Sequence, residues 1–171
     1  MELEDFLAKY AKYAIKAKKA GIFPSVSLSI AYLESNRSKG LSTLATRYNN
    51  FHGIQTYPKF KGITVPLKDN QKGDYRYFAT FKTIQAGFDG FVEFLQLNPR
   101  YAKEGVFTAK TPIEQITRIA KAGYSESPEW AKLVIKIDKF NKNKNLQGYD
   151  SFEIIAFCFI LFSLIPLQRI K

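Results

Sequence analysis

The sequence predicts an α+β fold that is mostly α. It is a helical domain carrying a small β-hairpin lobe that forms one wall of a cleft. Apolar residues recur at three-to-four spacing through most of the chain, the period of helices with one buried face. Between about Ile54 and Phe81 that period gives way to β-branched and aromatic residues, interrupted by Pro58, Gly62, Pro66 and Gly73. Two or three short strands of that length cannot build a core alone, so they must lie against the helices.

The totals fit one such domain. The chain has 171 residues, 46% hydrophobic and 15% aromatic, which is a globular composition. Lysines and arginines number 26 against 15 acids, a net charge of +11. That balance attracts polyanions: nucleic acid, anionic membrane surfaces or cell-wall polymers. The basic residues are spread along the chain with no arginine-rich run or recognition motif, so nucleic acid is not expected as a partner. Cys158 and His52 are each the only residue of their type. A disulfide framework and a multi-histidine metal site are therefore excluded within one chain. No glycine-rich nucleotide motif occurs, and no cofactor or metal is expected.

In chain order, residues from about Glu4 to Ala20 read as an amphipathic helix, with Phe6, Tyr10, Tyr13 and Ala17 on one stripe and Gly21 as C-cap. Pro24 opens a second helix, having no amide hydrogen to lose at the first position. It runs to Ser35 through Val26, Leu28, Ile30, Ala31 and Leu33, apolar enough to be mostly buried. Asn36 to Gly40 is a polar turn, Ser42 to Tyr48 a short helix, and Asn49 to Ile54 a turn. The hairpin follows, turning around Asp69 to Gly73. From about Thr83 to Leu97 the helical period returns, with Phe88, Phe91, Val92 and Leu95 inward, until Asn98-Pro99 stops it. Thr111, Pro112 and Glu114 form a capping-box start for a helix carrying Ile113, Ile116, Ile119 and Ala120. Ser127-Pro128 starts another, with Trp130, Leu133, Val134 and Ile137 inward.

The domain is expected to span residues 1–141, followed by a polar linker at 142–151 and an apolar tail at 152–171. The run from Ile154 to Leu167 would extend only about 21 Å as a helix, against roughly 30 Å of hydrocarbon. It reads as a marginal membrane tail, an element docked on the domain, or an extension foreign to it. Residues Met1 to Phe6 lack the basic and apolar regions of a signal peptide.

One acid stands out. Glu34 ends the apolar second helix, where the partial negative charge of a helix C-terminus pushes a carboxyl pKa upward. A carboxyl group that stays protonated near neutral pH is what a general acid requires. The plain alternative is a solvated glutamate on a last turn.

Leu33-Glu34-Ser35, Leu44-Ala45 and Asn49-Asn50-Phe51-His52-Gly53-Ile54-Gln55 together resemble the glucosaminidase family of bacterial and phage peptidoglycan hydrolases, glycoside hydrolase family 73. Three further segments match in the same order: Phe78 to Thr83, Phe94-Leu95 with Asn98-Pro99-Arg100-Tyr101, and Ala122 to Ala131. The resemblance covers about Phe6 to Phe140. It implies a lysozyme-like helical fold and cleavage of the N-acetylglucosaminyl-β-1,4-N-acetylmuramic acid bond of peptidoglycan. By position it implies Glu34 as general acid, Tyr124 as the active-site tyrosine and Asp69 as a second carboxylate, with Asp74 as runner-up. Asn50 and Phe51 are candidate substrate contacts, though they serve equally well to hold the turn. Trp130 reads as core, and His52 as structural or a cleft-wall residue. The chain departs from the family pattern after Ser35, where Asn36 to Lys39 replaces a glycine-rich turn, and at Asp69, where relatives usually carry Glu.

The rival enzymatic readings are a lytic transglycosylase or a muramidase, and the rival of another class is a non-catalytic wall-binding or phage structural module. On the resemblance the protein is expected to be a monomer acting on the cell wall, periplasmic or extracellular. Without a signal peptide it would be released by phage lysis or a non-classical route, and the tail offers a membrane contact.

Overall fold

The computed structural model describes residues 1–38, 40–68 and 74–143. Helix α1 spans Leu3–Ala14 and tightens into a 3-10 turn over Ile15–Ala20. The single long helix expected over this stretch therefore closes one turn more tightly before Gly21. Helix α2 spans Pro24–Ser35, followed by a two-residue antiparallel ladder of β1 (Asn36–Arg37) and β2 (Gly40–Leu41), where a plain turn was expected. Helix α3 is Thr43–Tyr48, with the Ser42 hydroxyl accepting from the Ala45 amide. Strands β3 (Thr64–Lys68) and β4 (Tyr75–Ala79) form the hairpin. Helices α4 (Ile84–Leu97), α5 (Pro99–Lys103), α6 (Pro112–Lys121) and α7 (Trp130–Asn143) complete the domain. The expected linker boundary falls in the last turn of α7. The turn at 69–73, the rest of the linker and the apolar tail lie outside the described residues.

Helix α2 is the centre of the packing. Val26 and Ile30 join one core cluster with Phe91, Leu95, Tyr101, Ile116, Ile119, Trp130 and Val134. Leu28 and Ala31 join another with Phe6, Leu7, Tyr10, Phe51 and Phe88. A helix buried on two sides needs no polar stripe, which is why its sequence shows little amphipathicity. Each of Val26, Leu28 and Ile30 is at most 3% exposed, and burying such a side chain contributes roughly 1.5–3 kcal/mol. This burial fixes α2 firmly, and with it the position of Glu34 near its end.

The hairpin is antiparallel, with Val65 opposite Phe78 and Leu67 opposite Arg76. It is stitched to the helical lobe by the strand-like segment after the 49–54 turn. The Ala79 amide donates to the Ile54 carbonyl at 2.9 Å and the Thr56 amide to the Tyr77 carbonyl at 2.8 Å. Alternation then turns Arg76 and Phe78 toward the cleft and leaves Tyr75 and Tyr77 exposed.

One inward assignment, Leu133, is corrected, and one apolar residue of α6 faces outward. Ile113 is 40% exposed, because it lies on the first turn of α6, before that helix meets the core. Leu133 is 48% exposed, while Trp130, Val134, Asp138 and Asn141 are buried. Helix α7 is thus rotated to put residues spaced by four or three, including an acid, against the interior. At the capping box, Thr111 accepts from the Glu114 amide at 3.2 Å, while the Glu114 carboxylate accepts from the Lys110 amide at 2.6 Å.

Candidate active site

Glu34 lies half-buried in the last turn of α2, on the wall of a cleft of about 710 Å³ between the helices and the hairpin. Leu44, the 52–58 segment, Arg76, Phe78, Phe94, Asn98, Arg100 and the 123–126 segment line it. Burial raises the Glu34 pKa above the usual carboxylate range, opposed in part by a hydrogen bond from Trp130 and by the charge of Arg37. The upward shift expected from the helix terminus thus has burial as its main source.

The two oxygens of Glu34 have different surroundings. Oε1 accepts from the Trp130 indole Nε1–H at 2.8 Å. Oε2 faces Gly53, where an ideal Cβ would sit 3.5 Å from it. Gly53 holds φ +65°, a left-handed conformation that disfavours side chains. The turn therefore passes close beside the carboxyl group and leaves that oxygen open toward the cleft.

The residues of the 49–54 turn explain its shape. The Asn50 side chain donates to the Ile54 and Ala79 carbonyls and accepts from the Ile54 amide, each at 2.9 Å. Phe51 packs its ring on Tyr10 and Phe88, 4.8 and 5.7 Å between centroids. Asn50 is 1% and Phe51 2% exposed. Placing them as substrate contacts is therefore corrected: their polar atoms and apolar surface are spent inside the fold. They tie the turn to the hairpin and to the core.

His52 is also interior. Its ring stacks on Phe91 at 4.1 Å and 7° and meets Phe88 edge-on at 4.9 Å. Nε2 lies 3.1 Å from the Ser27 carbonyl, so this nitrogen carries the proton and donates. Burial lowers the ring pKa to about 3, slightly opposed by the Ser27 bond. The His52 carbonyl in turn accepts from the Tyr124 hydroxyl at 2.7 Å.

Tyr124 follows Gly123 after α6 and forms part of the cleft wall. Its ring lies 5.1 Å from that of Trp130 and meets Phe91 and Phe94 edge-on. Its pKa is raised well above the ordinary tyrosine value, chiefly by burial and then by the charges of Glu34 and Tyr101. The phenol stays neutral and commits its proton to the His52 carbonyl.

Glu34, Tyr124 and the turn that follows Asn50 are thus brought to one place. Asp69 lies outside the described residues, and Asp74 is exposed just before β4. Among the described residues no three of His, Cys, Asp and Glu converge to hold a metal ion. No helix among them is long and apolar enough to cross a membrane. Sequence reasoning missed the polar role of Trp130, which is core and site at once. Helical periodicity reports the buried face of α7 but not the direction of an indole N–H. It also missed Arg37, Arg76 and Arg100 as cleft residues, since isolated arginines carry no pattern. Arg100 is anchored there by its bond to the Tyr101 hydroxyl at 2.9 Å.

Comparison with known proteins bears on the fold and the family. The family model for glucosaminidase, described as mannosyl-glycoprotein endo-beta-N-acetylglucosaminidase, matches residues 10–143. The peptidoglycan hydrolase FlgJ of Vibrio parahaemolyticus is 30% identical over 143 residues, which cover 78% of this chain and 46% of that relative. The chain therefore spans about half the length of that relative. Among solved structures, the glycoside hydrolase domain of Salmonella typhimurium FlgJ superposes with a TM-score of 0.65 at 23% identity, covering 91% of this chain and 98% of that one. The catalytic domain of the autolysin Auto from Listeria monocytogenes gives a TM-score of 0.63 at 21% identity, over 86% of each chain. These two likenesses establish a shared fold. With the family model spanning nearly the whole helical domain and its hairpin, the chain belongs to the glucosaminidase family of glycoside hydrolases.

Proposed function

We propose that this chain hydrolyses peptidoglycan at the N-acetylglucosaminyl-β-1,4-N-acetylmuramic acid bond, with Glu34 as general acid. The observation that carries the reading is a carboxyl group with a raised pKa on the wall of an open cleft, with one oxygen held and the other free. Protonated Glu34 gives its proton to the bridging oxygen as the bond from the anomeric carbon to that oxygen breaks. Tyr124, neutral and with its hydrogen turned to His52, presents lone pairs to the positive charge that develops at the anomeric carbon, or holds the N-acetyl group as it attacks. Asp69 is the proposed second carboxylate, with Asp74 as runner-up. The net charge of +11 favours approach to an anionic wall.

On this reading the protein acts at the cell wall as a monomer, with glycan strands as its partner. The test is the mass spectrum of wall digested by the purified chain. Reducing-end N-acetylglucosamine is expected. Reducing-end muramic acid would reassign the chain to muramidase chemistry, and anhydromuramic acid to transglycosylase chemistry. Binding to insoluble wall with no new reducing ends would make it a non-catalytic module.

A further inference from the structure

We infer that Trp130 is a positioning residue for Glu34: its indole N–H fixes which carboxyl oxygen carries the proton and steadies the carboxylate once the proton has left. This rests on the reading of Glu34 as the general acid.

An indole nitrogen donates and never accepts. Nε1 of Trp130 lies 2.8 Å from Oε1 of Glu34. In a neutral carboxyl group the carbonyl oxygen is a better acceptor than the hydroxyl oxygen. In the neutral acid Oε1 is therefore the carbonyl oxygen, and the proton resides on Oε2, the oxygen beside Gly53 and the cleft. The proton is thus on the side from which a glycosidic oxygen can approach. When Oε2 releases it, the acid becomes a carboxylate and the Trp130 bond becomes charge-assisted, and so stronger. An interaction that strengthens as the reaction proceeds accelerates the step itself.

The fold keeps this donor in place. Trp130 is 4% exposed at the first residue of α7 and packs its ring against Tyr124 at 5.1 Å. Val134, one turn on, is fully buried in the same cluster. The charged and titratable groups that act on or respond to Glu34 are Arg37 and Tyr124, and Arg76, Arg100 and Glu126 line the same cleft. Burial favours the protonated form of Glu34, while the Trp130 bond favours the ionised form. Removing the donor therefore leaves burial less opposed.

The experiment compares Trp130→Phe with the wild type, with Val134→Ala as a control for packing alone and Glu34→Gln as a control for the acid. Replacing Trp130 by benzothienylalanine, which puts sulfur where the N–H was, keeps the ring shape should the phenylalanine variant fail to fold. Loss of one hydrogen bond to a charged group predicts a kcat lower by about 10- to 100-fold with KM changed less than about threefold. The alkaline limb of the kcat profile moves to higher pH, and so does the carboxyl titration of Glu34 followed by NMR. Val134→Ala lowers the melting temperature and leaves both titrations where they are. An unmoved Glu34 titration in a folded variant lacking the donor overturns the inference. Full activity of Glu34→Gln instead overturns the assignment of the acid, so the two failures are told apart.

Discussion

His52 makes the fold sensitive to acid in a way that can be worked through. It is the only histidine in the chain and is 1% exposed, with a pKa lowered to about 3. In the unfolded chain the ring takes up its proton near pH 6.5, but in the folded protein only near pH 3. Between those values the unfolded state binds one proton more, so stability falls as pH falls, by up to about 1.4 kcal/mol per unit. From pH 7 to pH 5 the loss is about 2 kcal/mol, and it reaches about 5 kcal/mol once pH 3 is passed. For a domain of this size the first figure corresponds to a melting temperature roughly 4–8 °C lower. Urea unfolding of the wild type and of His52→Gln across this range isolates the effect, because glutamine does not titrate. The variant is less stable at neutral pH through lost stacking, and the gap narrows by about 2 kcal/mol at pH 5. The imidazole resonances of the folded wild type should stay in their neutral positions down to about pH 4. An imidazole that titrates near pH 6.5 in the folded protein, or a gap that does not change, would refute a ring buried in its neutral form.

Other predictions concern the turn beside the acid and the acid itself. A Cβ at Gly87 would lie 1.9 Å from the Asn49 carbonyl; Gly87→Ala therefore pushes α4 off the turn and costs about 1–3 kcal/mol, read by urea unfolding. Tyr124→Phe strands the His52 carbonyl, costing about 1–3 kcal/mol of stability, and on the role proposed for its oxygen it also lowers kcat. A variant as stable and as active as the wild type contradicts both roles. Because burial raises the Glu34 pKa, its contribution to stability is present at low pH and is lost as pH rises through the folded-state value. Glu34→Gln keeps an acceptor for Trp130 without the charge, so its melting temperature at neutral pH should exceed that of the wild type; a lower one means that the ionised acid is well accommodated.

Much of this site could be read in the sequence, for definite reasons. The bounds of α2 followed from Pro24 and an unbroken apolar run, and Ser42, Thr83 and Thr111 each accept from an amide at the helix starts they mark. Local chemistry decides such features, so local residues report them. Asn50 and Phe51 could not be separated from substrate contacts because an asparagine bonds backbone or sugar with the same atoms. Only the tertiary fold shows those atoms used up by Ile54 and Ala79. Leu133 and Asp138 show the same limit on α7. Apolar spacing favoured Leu133 inward, yet the helix is rotated to seat Trp130 against Glu34 and buries Asp138. A contact across 96 residues leaves no trace in any local period.

The central claim is that Glu34 supplies the proton that breaks the glycan. Its most direct test is wall lysis by Glu34→Gln, measured by turbidity and zymogram on protein whose fold and melting temperature have been verified. The account predicts activity below about one hundredth of wild type, the scale of a lost general acid, in a protein at least as stable as its parent. Activity close to wild type in that folded variant would contradict it.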